Sequence, residues 1–191
     1  SYTVIGEASD GHTAVREILR LHPAIAVLDA MMPLLNGIEA TRRLRASGTA
    51  ALRIVILSVC SSLDTMCRAF DAGADAYVLK ASPHQELLKA LAAVSNHQKY
   101  VDQTISLDIR YRILNARHHH KAPVDALSGR EREVLQLVAE GHSSAQIAAH
   151  TGLSPKSVDT YRSRVMEKLG VANAAQLIKL VVSCNMMPHD D

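Results

Sequence analysis

The stretch AIAVLDAMMPLLNG, residues 24–37, decides the fold of the first half of this sequence. Its first five residues are apolar and predict a short buried strand over residues 24–28. Asp29 comes directly after that strand and is followed by a Pro and an Asn-Gly turn signal. Because a carboxylate at the end of an apolar strand is costly to bury unless it is paired or used, Asp29 is the first candidate functional residue.

Short apolar strands alternate with amphipathic helices throughout residues 1–95. We predict strands at residues 2–8, 24–28, 53–58 and 76–80. We predict helices at residues 12–21, 37–46 and 63–72, and a fourth that begins at Pro83 with Ser82 as its N-cap. Strands of this length with helices between them predict an α/β domain, in which helices cover both faces of a parallel sheet.

The second half, residues 127–184, contains helix-start signals and no convincing strand. Ser128 and Ser143 each stand three residues before a Glu or Gln, which is the pattern of the capping box. Ser154 precedes a Pro, and Asn173 begins a further cap. Four start signals in this stretch predict a compact all-α unit of four helices.

A polar segment, residues 96–126, separates the two halves and has no clear core face. Its middle, residues 103–117, has helical potential, and three histidines at 118–120 precede an Ala-Pro pair. We predict a partly helical linker here. Metal binding or pH sensing by the histidines is the alternative, and the lack of a Cys or carboxylate beside them argues against a metal site. Residues 185–191 are predicted to be a tail.

The composition narrows the classes of function. Of the 191 residues, 48% are hydrophobic, with no Trp and one Phe, which argues against aromatic stacking as the main mode of binding. A net charge of +2 means that any nucleic-acid surface must be local. The three cysteines have no C-x-x-C spacing and fit a reducing compartment. The cysteines thus favour a cytoplasmic protein. No apolar run approaches the length of a membrane span, so we expect no membrane partner.

Polar residues stand at the carboxyl ends of three predicted strands: Asp29, Ser58 and Lys80. Ligands bind at these ends in open parallel sheets, so an acid, a hydroxyl and an amine there form a candidate phosphoryl site. The acid would accept the group, and the hydroxyl and the ammonium would bind its oxygens. The spacing alone also permits structural roles, in which Asp29 caps a turn, Ser58 starts a loop and Lys80 forms a surface ion pair.

Three segments, VLDAMMPLLNGIEATRRLR, IVILSV and GADAYVLKAS, resemble the receiver domain of two-component response regulators in their order and spacing. The resemblance covers nearly all of residues 1–95. It implies a flavodoxin-like fold in which Asp29 is the phosphoacceptor, Ser58 swings toward the phosphoryl group and Lys80 pairs with it. It also implies that Tyr77 is the aromatic residue that changes rotamer on activation. A sensor histidine kinase would be the partner that starts the phosphorelay.

One departure from the receiver pattern concerns the metal. Receivers begin with another strand, which lies at the centre of a 2-1-3-4-5 sheet and ends in an acidic pair that holds Mg²⁺. This sequence begins at the segment that matches the second strand, so we expect an N-terminally incomplete receiver without its first strand and helix. The resemblance implies Mg²⁺ in the intact receiver. In this sequence, Asp29 is the predicted carboxylate ligand for that ion. Three explanations are open: the chain is a fragment, it is an engineered truncation, or a second copy completes its sheet. In each case we expect this chain to be phosphorylated poorly at Asp29.

The segment LSPKSVDTYRSRVMEKLG, residues 153–170, predicts a helix with two different faces. The apolar face consists of Val158, Tyr161, Val165 and Leu169. The opposite face contains short hydrogen-bonding side chains and charges: Lys156, Thr160, Ser163, Arg164 and Glu167. A short helix and a Gly turn come before it, which is the helix-turn-helix arrangement suited to a DNA groove. An ordinary solvent-exposed surface helix is the alternative that the geometry alone leaves open.

Residues 127–178 resemble the DNA-binding domain of the LuxR/FixJ/NarL regulators over its full length. The resemblance implies that Glu131 fixes the first helix of the domain. It implies base contacts for Asp159, Thr160 and Ser163, and positions nearer the phosphates for Lys156, Tyr161, Arg162, Arg164 and Lys168. Many relatives have Lys in place of Asp159 and His in place of Tyr161. Asp159 either accepts a hydrogen bond from a cytosine amine or holds Arg162 or Ser163 in place.

The last predicted helix has a broad apolar stripe, formed by Ala174, Leu177, Ile178 and Val181 with Leu180 and Val182 beside it. Most of this stripe is predicted to be core. We expect the excess to serve as the surface of a homodimer on paired half-sites of double-stranded DNA.

Together these features predict a cytoplasmic, non-enzymatic response regulator that binds DNA under the control of phosphorylation at Asp29. A phosphorylation-independent DNA-binding regulator with a degenerate receiver is the alternative. A phosphatase of the haloacid dehalogenase type also uses an Asp nucleophile, but its second Asp would fall at Met31, which argues against this class.

Overall fold

A parallel sheet organises the first of the two units into which the chain divides, Ser1–His120 and Lys121–Asp191. The structure, a computed structural model, describes residues 2–115 and 123–183. The predictions for the histidines at 118–120, for Cys184 and for the tail at 185–191 fall outside these residues.

The sheet of the first unit has four strands in the order β1-β2-β3-β4, and each neighbouring pair is parallel. The strands are β1 (Ile25–Asp29), β2 (Arg53–Ser58), β3 (Ala76–Leu79) and β4 (Tyr100–Val101). The helices of this unit are α1 (Gly11–Leu21), α2 (Gly37–Ala46), α3 (Leu63–Asp71), α4 (His84–Ser95) and α5 (Leu107–Asn115). The predicted α/β alternation is confirmed, and β1 to β3 lie within one residue of their predicted bounds.

Helices cover both faces of the sheet, as predicted. Successive residues of β2 alternate between the two faces, because side chains along a strand point to opposite sides. Ile54 and Ile56 are buried in the larger core, which also contains residues of α2, α3 and α5. Val55 is buried in a second cluster with Ala90 and Val94 of α4.

The predicted strand at residues 2–8 is wrong. Residues 2–8 form no strand and are exposed, including Tyr2, Val4 and Ile5. Strand structure requires a partner whose backbone groups complete the ladder, and an isolated extended segment has none. In this structure β1 is the edge of the described sheet, and its ladder is formed with β2 alone.

The prediction of a linker over residues 96–126 is wrong for residues 100–115. Tyr100–Val101 forms β4, which pairs with Ala76 and Tyr77 of β3. Val101, Ile105 and Ile113 are buried in the larger core. The helix predicted within residues 103–117 is present as α5, and its Ile113 is part of the core of the first unit. The sequence predicts a linker here because a strand of two residues produces no periodic pattern.

The predicted start of α4 also needs correction. The helix begins at His84, with Pro83 in the N-cap position and no side-chain cap, so Ser82 does not cap it. The Ser82 hydroxyl instead lies 3.1 Å from Thr104 Oγ1. The helix start is held by Glu86, whose carboxylate accepts hydrogen bonds from the Tyr100 hydroxyl and from the backbone N–H of Gln103.

The second unit has a short 3₁₀ helix at Pro123–Ala126 and the four predicted helices: α6 (Gly129–Ala139), α7 (Ser144–Thr151), α8 (Pro155–Leu169) and α9 (Ala174–Ser183). The two predicted capping boxes, at Ser128 and Ser143, are confirmed. Ser154 caps α8, whose first residue is a Pro, as predicted. The core of the second unit contains Leu135, Val165, Leu177 and Val181. All helices of this unit except the short α7 contribute to this cluster. Within residues 2–115 and 123–183, no helix combines the length and apolar composition that a membrane span requires.

Candidate functional site

Asp29 and Lys80 meet at the carboxyl end of the sheet. Asp29 is the last residue of β1, and Lys80 follows β3, with β2 between these strands. The backbone N–H of Lys80 donates to the Ser58 carbonyl at 2.8 Å, which places its side chain beside the end of β2. Lys80 Nζ lies 2.6 Å from Asp29 Oδ2. The two side chains are 42% and 33% exposed, so the pair is accessible to a ligand from solvent.

The backbone after β1 holds the second oxygen of the Asp29 carboxylate. The N–H of Met31 donates to Asp29 Oδ1 at 3.0 Å. Helix α2 begins close by, because Gly37 has no side chain: a Cβ there would lie 2.2 Å from the Asp29 carbonyl oxygen. The carboxylate is therefore fixed from one side by the backbone and from the other by an ammonium group. Met31, two residues after Asp29, contributes its backbone N–H and has no acidic side chain.

Ser58 and Tyr77 are both fully buried and are connected through one residue, Cys60. The Ser58 hydroxyl accepts a hydrogen bond from the Cys60 N–H at 3.0 Å, and the Tyr77 hydroxyl donates to the Cys60 carbonyl at 2.7 Å. Burial raises the pKa of the Tyr77 phenol, while a hydrogen bond from Ser58 acts in the opposite direction. Sequence reasoning missed Cys60, because its role depends on its backbone and not on its side chain.

The residues around Asp29 do not form a set of ligands that fits Mg²⁺. This ion takes oxygen ligands in octahedral geometry, usually with one or two carboxylates. Both Asp29 oxygens already accept hydrogen bonds, and Asp10 is used as the N-cap of α1, where it accepts from the Thr13 N–H. No cluster of three or more His, Cys, Asp or Glu side chains that could hold a metal ion occurs within the described parts of the chain.

The polar face of α8 has the exposure that the sequence predicts. Lys156, Thr160, Ser163 and Arg164 are exposed, and Val158 and Val165 are buried on the opposite side. The hydroxyls of Thr160 and Ser163 donate to the backbone carbonyls four residues earlier, at 3.0 and 3.1 Å. Their protons are thus used within the helix, and their oxygens remain able to accept.

Asp159 and Arg162 of α8 are joined through Ser144, the first residue of α7. The Ser144 hydroxyl donates to Asp159 Oδ1 at 2.7 Å, and Arg162 Nη1 donates to Ser144 Oγ at 3.1 Å. The sequence leaves two roles open for Asp159: a contact with a cytosine amine, or support of Arg162 or Ser163. The structure shows a link from Asp159 to Arg162 through the Ser144 hydroxyl. Ser144 was not among the predicted site residues, because the packing of α7 on α8 brings it there.

Lys168 occupies a different environment from the other predicted DNA-binding residues. Its ammonium group lies 2.8 Å from Oε2 of Glu131, a carboxylate whose side chain is only 4% exposed. The same carboxylate accepts from the Ser128 N–H in the capping box of α6. Lys168 therefore connects the end of α8 to the start of α6. This agrees with a structural role for Glu131 in fixing the first helix.

The apolar stripe of α9 is mostly core. Leu177 and Val181 are buried and Leu180 is half-buried, whereas Ile178 is 41% exposed. The side chains of Ala174 and Val182 lie outside the described part of the structure. Ile178 is thus the described member of the stripe that remains available for a contact with another molecule.

A receiver-like α/β unit with an Asp–Lys pair at its sheet edge, followed by a helix-turn-helix unit, defines a two-domain response regulator. The family of the response regulator receiver domain matches residues 1–92, and that of the bacterial regulatory proteins of the luxR type matches residues 125–181. The response regulator GacA of Pseudomonas aeruginosa is 31% identical over 184 residues, which cover 96% of this chain and 85% of GacA. The chain belongs to the family of response regulators with a receiver domain and a luxR-type regulatory domain.

Solved structures of RcsB share this architecture. One is RcsB of Salmonella enterica serovar Typhimurium bound to promoter P1flhDC in the presence of the phosphomimetic BeF₃⁻. It is 26% identical, with a TM-score of 0.51, and the match covers 95% of this chain and 85% of that chain. Another shows two RcsB dimers bound to two parallel DNAs, at 25% identity and a TM-score of 0.51, with the same coverage of 95% and 85%.

Proposed function

We propose that this chain is a DNA-binding transcriptional regulator whose receiver accepts a phosphoryl group on Asp29 from the phosphorelay of a sensor histidine kinase. The observation that carries the proposal is the contact of 2.6 Å between Lys80 Nζ and Asp29 Oδ2 at the exposed carboxyl end of the sheet. A nucleophilic carboxylate beside a fixed cation is the arrangement that phosphoryl transfer to an acid requires. In this proposal the protein is a regulator and not an enzyme, and it is located in the cytoplasm.

In the phosphoryl step, an oxygen of Asp29 attacks the phosphorus of the donor. The new bond joins Asp29 Oδ to phosphorus, and the bond from phosphorus to the donor's leaving atom breaks with its electron pair on that atom. Lys80 then exchanges its contact with the carboxylate for a contact with a phosphoryl oxygen, because the added charge is greater there. The carboxylates of the described residues do not form a site for Mg²⁺.

Ser58, Cys60 and Tyr77 form the switch in this proposal. A phosphoryl group on Asp29 draws the Ser58 hydroxyl toward it, and the Cys60 N–H loses its acceptor. The Tyr77 hydroxyl is bound to the carbonyl of the same residue, so a shift of the Cys60 backbone changes the position of Tyr77 as well. The surface formed by residues 63–77 then changes, and this change shifts the equilibrium of the regulatory domain between two states.

We propose that residues 127–184 bind double-stranded DNA with α8 in the major groove. Lys156, Tyr161, Arg162 and Arg164 approach the phosphates, and Thr160 and Ser163 face base edges with their oxygens as acceptors. Lys168 contributes less to DNA binding than its position suggests, because Glu131 holds its charge. Dimerisation on paired half-sites through α9, with Ile178 in the contact, completes the proposal.

A second candidate is a regulator that binds DNA without phosphorylation. The contacts of Asp29 favour it, because both of its carboxylate oxygens already accept hydrogen bonds, from the Met31 N–H and from Lys80 Nζ. To separate the candidates, a DNA duplex is first selected from a random pool on the wild-type chain. The chain is then treated with acetyl phosphate, and its phosphorylated and unphosphorylated forms are resolved on a phosphate-affinity gel and tested for binding. Different affinities of the two forms support the switch, and equal affinities support the second candidate.

A further inference from the structure

One serine hydroxyl connects the two helices of the helix-turn-helix. Ser144 begins α7, and its Oγ contacts Asp159 Oδ1 at 2.7 Å and Arg162 Nη1 at 3.1 Å, both on α8. Ser144 is half-buried, Asp159 is exposed and Arg162 is half-buried. The three groups thus lie at the border between the packed and the exposed surfaces of α8.

In the two hydrogen bonds of the Ser144 hydroxyl, the chemistry of its partners fixes which group donates and which accepts. An ionised carboxylate accepts only, and a guanidinium donates only. The single proton of the Ser144 hydroxyl must therefore point to Asp159, which leaves a lone pair of its oxygen for Arg162. Asp159 sets the orientation of the hydroxyl, and the hydroxyl holds the guanidinium.

We infer that Asp159 is a positioning residue for DNA binding, which acts through the Ser144 hydroxyl to hold Arg162 toward the phosphate backbone, and that it does not read a base. This inference rests on the proposed DNA-binding function. It assigns a role to Ser144 that the sequence did not suggest. It also explains how an acid is compatible with a surface that meets DNA.

Two physical effects support a positioning role. A free arginine side chain loses rotamer entropy when it binds, and a side chain that is already held loses less. In addition, Asp159 contacts the first residue of α7, where the partial positive charge of a helix N-terminus stabilises an anion. The negative charge of Asp159 is thus compensated within the protein, by α7 and by the guanidinium it helps to hold.

The test measures the affinity of the full chain for a duplex selected from a random DNA pool on the wild-type chain. Asp159→Ala is expected to weaken binding about three- to tenfold, the loss typical of one hydrogen-bonded contact. Glu167→Ala is the matched control, because it removes an equal charge from an exposed site on the same helix. Removal of a negative charge alone strengthens binding to phosphates, so the control is expected to bind as tightly as wild type or more tightly.

A double-mutant cycle tests whether Asp159 acts through Arg162. Asp159→Ala is expected to have little effect in an Arg162→Ala background, and equally little in a Ser144→Ala background. Asp159→Asn is expected to restore much of the affinity, because its amide oxygen can still accept from Ser144. Thermal unfolding followed by circular dichroism shows whether each variant keeps its helices.

The results that would overturn the inference are distinct from those that would overturn DNA binding. If wild type binds the selected duplex and Asp159→Ala binds equally well, the positioning role is wrong. It is also wrong if the loss persists in full without Arg162, or if Asp159→Ala relaxes specificity at one base pair while Ser144→Ala does not. If the wild-type chain fails to bind DNA at all, the proposed function fails and the inference with it.

Discussion

The ammonium group of Lys80 lies 2.6 Å from Asp29 Oδ2, although the two residues are 51 positions apart in the sequence. The sheet produces this contact, because β1 and β3 are parallel to β2 and end at the same edge. Asp29 is thus placed beside a cation that can bind a phosphoryl oxygen. The pair is partly exposed, so its importance is for binding and transfer more than for stability.

Replacement of Lys80 tests this role. Lys80→Ala is expected to lower the labelling of Asp29 by acetyl phosphate about tenfold or more, because a fixed charge on the transferred group is lost. The measurement is the phosphorylated fraction on a phosphate-affinity gel at a set time. Arg16→Ala, which removes an exposed cation from α1, is the control and should label like wild type. Equal labelling of Lys80→Ala and the control would refute the role of Lys80.

The hydroxyl of Tyr77 is expected to contribute to the stability of the first unit. Tyr77→Phe removes the donor to the Cys60 carbonyl and should lower the free energy of unfolding by about 1–2 kcal/mol. Denaturant unfolding measures this change. Tyr2→Phe is the control, since Tyr2 is exposed, and it should unfold like wild type. No difference between the two variants would show that the contact of Tyr77 with Cys60 is not stabilising.

Much of the fold follows from sequence patterns, but strand pairing does not. Strands β1 to β3 and the helices have periodic apolar residues or caps of their own, so local reasoning finds them. Residues 2–8 have the composition of a strand and yet form none, because a strand also needs a neighbour. Strand β4 has two residues, and its partner in β3 places it in the sheet.

The same distinction applies to the site. Asp29 and Lys80 were predictable because parallel strands bring their carboxyl ends to one edge. Cys60 and Ser144 were not, because their contacts depend on a loop conformation and on the packing of two helices. Neither feature has a sequence period. The pairing of Lys168 with Glu131 escaped prediction for the same reason, since α6 and α8 meet only in the folded unit.

The ion pair of Glu131 and Lys168 makes the stability of the second unit dependent on pH. Burial acts to raise the pKa of the Glu131 carboxyl, but hydrogen bonds from Lys168 and Ser128 hold it below its ordinary value of 4.5. A group with a lowered folded-state pKa stabilises the fold above its unfolded-state pKa, and this contribution is lost as the pH falls through the folded-state value. Acid below pH 4.5 should therefore weaken the second unit.

Glu131→Gln isolates this effect, because it removes the titrating group and keeps a side chain that can cap α6. Its free energy of unfolding should change less than that of wild type between about pH 7 and about pH 3. Glu167→Gln, at an exposed position, should follow the wild-type dependence. Denaturant unfolding at a series of pH values measures both. Parallel curves for wild type and Glu131→Gln would contradict the assignment.

Arg164 tests the DNA-binding face of α8. Arg164→Ala should weaken binding to selected and random duplexes alike and lower the slope of log affinity against log salt by about one. Fluorescence anisotropy between about 50 and 200 mM salt gives this slope. Arg16→Ala, which removes an exposed cation from α1 in the first unit, is the control for total charge. An unchanged slope for Arg164→Ala would place the DNA elsewhere.

The most direct test of the central claim is chemical trapping of the phosphoryl group on Asp29. After treatment with acetyl phosphate, borohydride reduces an aspartyl phosphate to homoserine, which peptide mass spectrometry locates by residue. We predict homoserine at position 29 in a minor fraction of the chain and none in Asp29→Asn. An unmodified position 29 in every peptide, or trapping at a different carboxylate, would contradict the account.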